Sequence, residues 1–102
     1  MSKELEDITT IKGDNVTFYR DDFKNVLPYI KNVQTVIVDP PYNINFNYNS
    51  KYKDNIPPDE YKALIKDVLD LSFKASKDDS SFFLINYPEI IAELYETIKS
   101  TN

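Results

Sequence analysis

VIVDPPYN, Val36–Asn43, is the stretch on which the fold turns. Val36, Ile37 and Val38 form a β-branched run of the kind found in a strand buried on both faces. Pro40 and Pro41 end it, because neither has a backbone N–H and each fixes φ near −65°. Asp39, preceding a proline, is held in the extended region. A carboxylate, two rigid residues and the ring of Tyr42 therefore stand just past the end of a buried strand. In open α/β sheets that crevice is where ligands bind.

The flanks supply the rest of such a sheet. Upstream, Asn15–Tyr19 (NVTFY) alternates and predicts a strand. Asp21 or Asp22 then caps a helical turn over Phe23–Tyr29, which Pro28 limits. Gln34–Val38 is the central strand. Downstream, Asn43–Pro58 is a polar loop longer than the usual connection, and such loops tend to be functional or mobile. Pro57-Pro58-Asp59 opens the clearest helix, with Tyr61, Leu64, Ile65, Val68, Leu69, Leu71 and Ser72 on one face. Lys77–Ser80 reads as a polar turn, Ser81–Asn86 as a second buried strand, and Pro88–Lys99 as an amphipathic helix. Its inward positions are Ile90, Ile91, Leu94, Tyr95 and Ile98.

Residues 1–13 read as a polar lead-in to a unit spanning 14–102. The order strand, short helix, strand, long helix, strand, helix predicts parallel strands with crossover helices. Three strands are few for such a sheet, and a further strand is expected after Ser100–Asn102. The fold expected is thus α/β, an incomplete, partial doubly wound parallel sheet.

Composition narrows the chemistry. In 102 residues there is no cysteine and no histidine, so disulfides, thiolate metal sites and histidine bases are excluded. No metal site is suggested. No apolar run approaches the roughly 20 residues of a membrane span, so no membrane association is expected and the cytoplasm is the default location. The net charge of −5 comes with scattered lysines, a poor basis for tight nucleic-acid binding by this chain alone. Gly13 is the single glycine.

Asp39, Pro40 and Tyr42 together suit one reaction. The carboxylate and the Pro40 carbonyl are both acceptors and can receive the two hydrogens of an exocyclic amino group. The flat face of Tyr42 can stack on a base, worth about 1–3 kcal/mol. A conjugated amine is a poor nucleophile because its lone pair is delocalised. Accepting both N–H bonds favours a tetrahedral nitrogen and frees that pair to attack a methyl donor, without histidine or metal.

Asp39–Tyr42 (DPPY), following an apolar strand and followed by Asn43, resembles the catalytic motif of the DNA amino-methyltransferases. These make N6-methyladenine or N4-methylcytosine from S-adenosylmethionine after flipping the base from the duplex. Phe18–Leu27 (FYRDDFKNVL) is similar to the segment shortly before DPPY in members whose catalytic motif lies near the N-terminus. Lys77–Glu89 (KDDSSFFLINYPE) resembles their next strand, with serine where glycine is usual in the turn. The resemblance runs from about Val16 to Lys99.

It implies a Rossmann-like methyltransferase fold and a set of roles. Asp39 and the Pro40 carbonyl would hold the target amino group and Tyr42 would stack on the base. Pro41 and Asn43 would border the substrate, and Asp22 and Phe23 would contact the cofactor's adenosine. The loop after Asn43 would lie near DNA. Adenine is favoured over cytosine. The glycine-rich F-x-G-x-G segment that wraps the cofactor's methionine end cannot be built with Gly13 alone, and close backbone approach to a ligand needs glycine. The expectation is therefore the N-terminal catalytic portion of a methyltransferase, inactive in isolation, completed by a second chain or by self-association.

Other readings stay open. Asp before Pro-Pro can be a plain strand terminator, Tyr42 a packed aromatic, and Asp21–Asp22 a helix cap. The chain could instead be a non-catalytic remnant or split subunit acting as an interaction module, or a relative acting on RNA or a protein amide.

Overall fold

The computed structural model describes residues 3–49 and 51–100. The expectations placed on residues 1, 2, 50, 101 and 102 lie outside them. The described residues form a mixed α/β structure built on two small sheets.

The first sheet is a hairpin. β1 (Thr9–Lys12) pairs antiparallel with β2 (Thr17–Arg20), with Ile11 opposite Phe18. Between them the Gly13 N–H donates to the Val16 carbonyl at 2.8 Å. This corrects two expectations. Thr9–Lys12, read as lead-in, is a strand, and β2 pairs with it rather than joining a parallel sheet. The reason is local: Gly13-Asp14-Asn15 is strong turn chemistry between two β-prone runs.

Asp22 then caps α1 (Phe23–Val26), and a 3₁₀ turn over Leu27–Tyr29 follows, with Pro28 inside it. The second sheet is a β-α-β unit. β3 (Val33–Val38) pairs parallel with β4 (Ser76–Leu84), in the register Val36–Phe82, Ile37–Phe83, Val38–Leu84. The connecting helix α2 (Pro58–Ala75) starts on Pro58, where the missing N–H costs nothing, and carries Asp59 and Glu60 in its positive first turn.

β4 begins earlier than expected, so Lys77–Ser80 is strand and not turn. The register slips between Val33 and Thr35, which absorbs these extra residues against a shorter partner. Lys77, Asp78 and Asp79 face solvent, so strand geometry costs them no desolvation. The final helix is two, α3 (Pro88–Glu93) and α4 (Tyr95–Lys99), meeting at Leu94. That break turns Tyr95 outward, at 58% exposed, against the expectation that it packs inward.

The core lies between the sheet and the helices. Tyr61, Ile65 and Leu69 of α2 pack around Leu94, with Phe82, Ile90 and Ile98 at the margin. Phe73 meets Phe82 edge-on at 5.2 Å, fixing α2 to β4. One sheet face is covered in this way. The other is not: Ile37 is 68% exposed and its partner Phe83 56%. The expectation of a strand buried on both faces is therefore corrected, because the described residues put helices on one side. No described helix is long and apolar enough to cross a membrane.

Leu94, 1% exposed, bridges the two terminal helices and α2. Leu94→Ala should cost about 2–5 kcal/mol in a urea titration, as cavity formation in a core does. Ile37→Ala, on the open face, should stay within about 0.5 kcal/mol.

Candidate functional site

The site forms where β3 runs out. After Val38 the carbonyl still accepts from Ile85 N at 2.9 Å, so the sheet holds the chain up to Asp39. The prolines then turn it over the start of α2. There the buried Tyr61 donates its hydroxyl to the Pro41 carbonyl at 2.5 Å and accepts from Asn86 Nδ2 at 2.9 Å. Burial pushes the Tyr61 phenol pKa up, with the Asn86 bond opposing it. Asn86–Tyr61–Pro41 is thus a three-part tether from β4's end, through α2, to the second proline. Among the described residues, the Pro40 carbonyl has no such partner.

Asp39 is exposed, and its Oδ1 accepts from the Tyr42 hydroxyl at 2.7 Å. That bond raises the Tyr42 pKa, with burial and the Asp39 charge adding to it. The Tyr42 ring also meets Tyr87 edge-on at 5.1 Å. Tyr42 is therefore fixed at both ends, and the carboxylate keeps Oδ2.

Asp39, Pro40 and Pro41 are a wall between two spaces. On one side lies a cleft of about 480 Å³, bounded by the β2 residues Phe18 and Tyr19, by Asp21 and Phe23, and by Val68 of α2. Its lining is mostly apolar. On the other side a hollow of about 250 Å³ lies between Asp39, Pro40, Pro41, Tyr42 and Tyr48. It is smaller than the roughly 300–1,000 Å³ of drug-sized pockets and suits a single planar group.

The expected residues divide accordingly. Asp39, Pro40, Pro41 and Tyr42 come together, and Phe23 stands across the cleft from the first three. Asp22 does not line the cleft. Its Oδ1 accepts from Lys24 N at 2.9 Å and holds the turn that presents Phe23. The neighbouring Asp21 does line it, held by Asn25 Nδ2 at 2.7 Å and Lys3 Nζ at 2.5 Å. Asn43 turns from the hollow toward the loop. Its side-chain amide pairs with Ile56, donating to the carbonyl at 3.0 Å and accepting from the N–H at 2.9 Å.

Two residues escaped the sequence reading. Tyr61 read as a core aromatic, and nothing in its spacing announces a bond to Pro41. Asp54 lies in a polar loop yet is 2% exposed, because three backbone N–H groups converge on it. A signal was present: asparagine tolerates left-handed backbone, and Asn43, Asn45 and Asn49 all have φ between 54° and 62°. An Asn-rich loop is one that can curl around an acceptor. Among the described residues, no cluster of three or more acidic side chains could hold a metal.

The chain is similar to the type II methyltransferase M.MjaVI of Methanocaldococcus jannaschii, 32% identical over 73 residues. The match covers 72% of this chain and 37% of that protein. No family model and no solved structure matches. The likeness supports a methyltransferase relationship, and a mixed α/β chain is compatible with part of such a fold.

Two titrations test the site. Asp39→Asn removes the acceptor's charge, so the Tyr42 phenol should titrate closer to 10.0 than in the parent, read as the tyrosinate absorbance absent from Tyr42→Phe. The Asn25 bond, with Lys3 assisting, holds the Asp21 carboxyl at about 2 against an ordinary 3.8. A lowered acid contributes stability above 3.8 and loses it as pH falls toward 2. The Asn25 side-chain amide resonances should move through that window, and Asp21→Asn should abolish the movement.

Proposed function

We propose that this chain is the catalytic portion of a DNA amino-methyltransferase, methylating the exocyclic nitrogen of adenine, with cytosine as the second choice. The observation that carries the reading is the shared wall: Asp39–Pro41 separates an apolar cleft from an aromatic-lined hollow. A methyl donor and an acceptor amine must approach one another from two sides of one point, and this wall supplies the point. The similarity to a type II methyltransferase supports the same reaction.

In the hollow, Asp39 Oδ2 and the Pro40 carbonyl would accept the two amino hydrogens. Tyr42 would stack on the base, its plane fixed by Asp39 and Tyr87. Pro41 shapes the floor through its tether to Tyr61, and Asn43 shapes the rim through Ile56. The nitrogen, made tetrahedral, would direct its lone pair past the edge of Asp39–Pro41 to the methyl carbon, whose bond to sulfur breaks to leave a neutral thioether, and the surplus amino proton would pass to the Asp39 carboxylate or to water.

S-adenosylmethionine, when bound, supplies the electrophilic methyl group. The cleft fits its adenosine end: Phe23 offers a ring, held by the Asp22 cap, and the walls are apolar. It does not cradle the methionine end. The single glycine, Gly13, lies in the hairpin turn and not on the cleft wall, and an added Cβ there would meet Val16 at 2.9 Å. The complete activity therefore calls for a glycine-bearing segment that these 102 residues do not supply.

A second reading is an interaction module without catalysis. Ile37, Phe83 and Ile85, exposed on one sheet face, favour it, since large exposed apolar patches mark association surfaces.

The discriminating experiment is mass spectrometry of genomic DNA from the native host. Asp39→Ala at the chromosomal locus should abolish N6-methyladenine, or N4-methylcytosine, at one sequence. Unchanged methylation of both bases overturns the catalytic reading. Calorimetry with S-adenosylmethionine should show weak or undetectable binding to the isolated chain; tight binding would contradict the account of the cleft.

A further inference from the structure

We propose that Asp54 is the positioning residue of this site: its buried carboxylate fixes the loop so that Tyr48 lines the hollow with Tyr42. The inference rests on the reading of the hollow as a base pocket for its purpose, and on geometry alone for its mechanism.

A loop as polar as Asn43–Pro58 has little apolar surface to bury, so its shape must come from hydrogen bonds. Asp54 provides them. Its Oδ1 accepts from Asn43 N at 2.8 Å, and its Oδ2 from Ile44 N at 2.9 Å and Phe46 N at 3.0 Å. Its backbone carbonyl accepts from Asn45 N at 2.6 Å. Four successive N–H groups thus close onto one residue. The Asn43 amide seals the same neck from the other side through Ile56. An ionised carboxylate is the acceptor this needs, since it has two oxygens and no donor.

Above the clasp the aromatic residues lean on each other. Phe46 and Tyr48 have ring centroids 4.8 Å apart, and Tyr48 and Tyr52 6.2 Å. Phe46 is itself bonded to Asp54, and Tyr52 is two residues before it. Tyr48 lines the hollow together with Asp39, Pro40, Pro41 and Tyr42. Released from the clasp, the loop would take Tyr48 out of the hollow's lining.

The test compares the full chain with Asp54→Asn, which keeps the shape and offers one acceptor oxygen in place of two. Fluorotyrosine NMR, with Tyr48 assigned by Tyr48→Phe, reads its surroundings directly. The Tyr48 resonance should shift toward that of free fluorotyrosine while that of exposed Tyr95 stays still. The amides of Asn43, Ile44 and Phe46 should exchange about tenfold faster or more, with the Leu69 amide of α2 unchanged. If Asp54→Asn does not fold, Asp54→Glu, which keeps the charge but displaces it by one methylene, is read identically. An unmoved Tyr48 resonance, or loop amides as protected as in the parent, overturns the proposal.

A single-stranded oligonucleotide carrying one 2-aminopurine supplies the functional readout. Asp54→Asn should weaken its binding about tenfold, the scale of one lost base–aromatic stack. Equal affinity in parent and variant overturns the positioning role. Should the parent itself not bind the probe while the resonance and exchange changes occur, the clasp stands and the base-pocket reading falls.

Discussion

Two prolines in succession at the end of a strand constrain everything downstream of them. They cannot donate to a sheet, so the chain must leave β3 at Asp39, and with fixed φ it leaves in one direction. Tyr61 then takes the second carbonyl from inside the core, and Pro40 lines both the cleft and the hollow. Among the described residues two adjacent carbonyls at this corner therefore differ, that of Pro41 tethered to Tyr61 and that of Pro40 without such a partner. The residues that stop the strand also present the acceptors.

The corner is rigid because its supports belong to different elements. Asn86 follows β4, Tyr61 belongs to α2, Tyr87 precedes α3, and Asp54 closes the loop that precedes α2. Moving the corner would require several of these to give at once. The core behind it is small, centred on Ile65 and Leu94, and the far face of the sheet stays open at Ile37 and Phe83.

Much of this was legible in the residues. β3, α2 and the latter half of β4 follow from apolar runs and from helical spacing, both governed by burial on the core side. The meeting of Asp39, Pro40 and Tyr42 follows from covalent geometry, which needs no tertiary information. What was not legible depends on partners remote in sequence. The pairing of β2 with Thr9–Lys12 is the exception, set locally by the turn at Gly13. The start of β4 at Ser76 depends on a register slip against β3. Asp54 looks like any loop aspartate until the backbone folds around it, and the pairing of the Asn43 amide with Ile56 has no signal in the spacing.

The central claim is that Asp39 and the Pro40 carbonyl together grip an aromatic amino group. An oligonucleotide whose target base carries ¹⁵N at its exocyclic nitrogen reports on that grip directly. On addition of the chain together with the glycine-bearing segment that completes it, both amino protons should move downfield together, and Asp39→Ala should leave one of them where it lies in the free strand. Amino protons that do not move on binding, or that move equally with Asp39→Ala, would contradict the account.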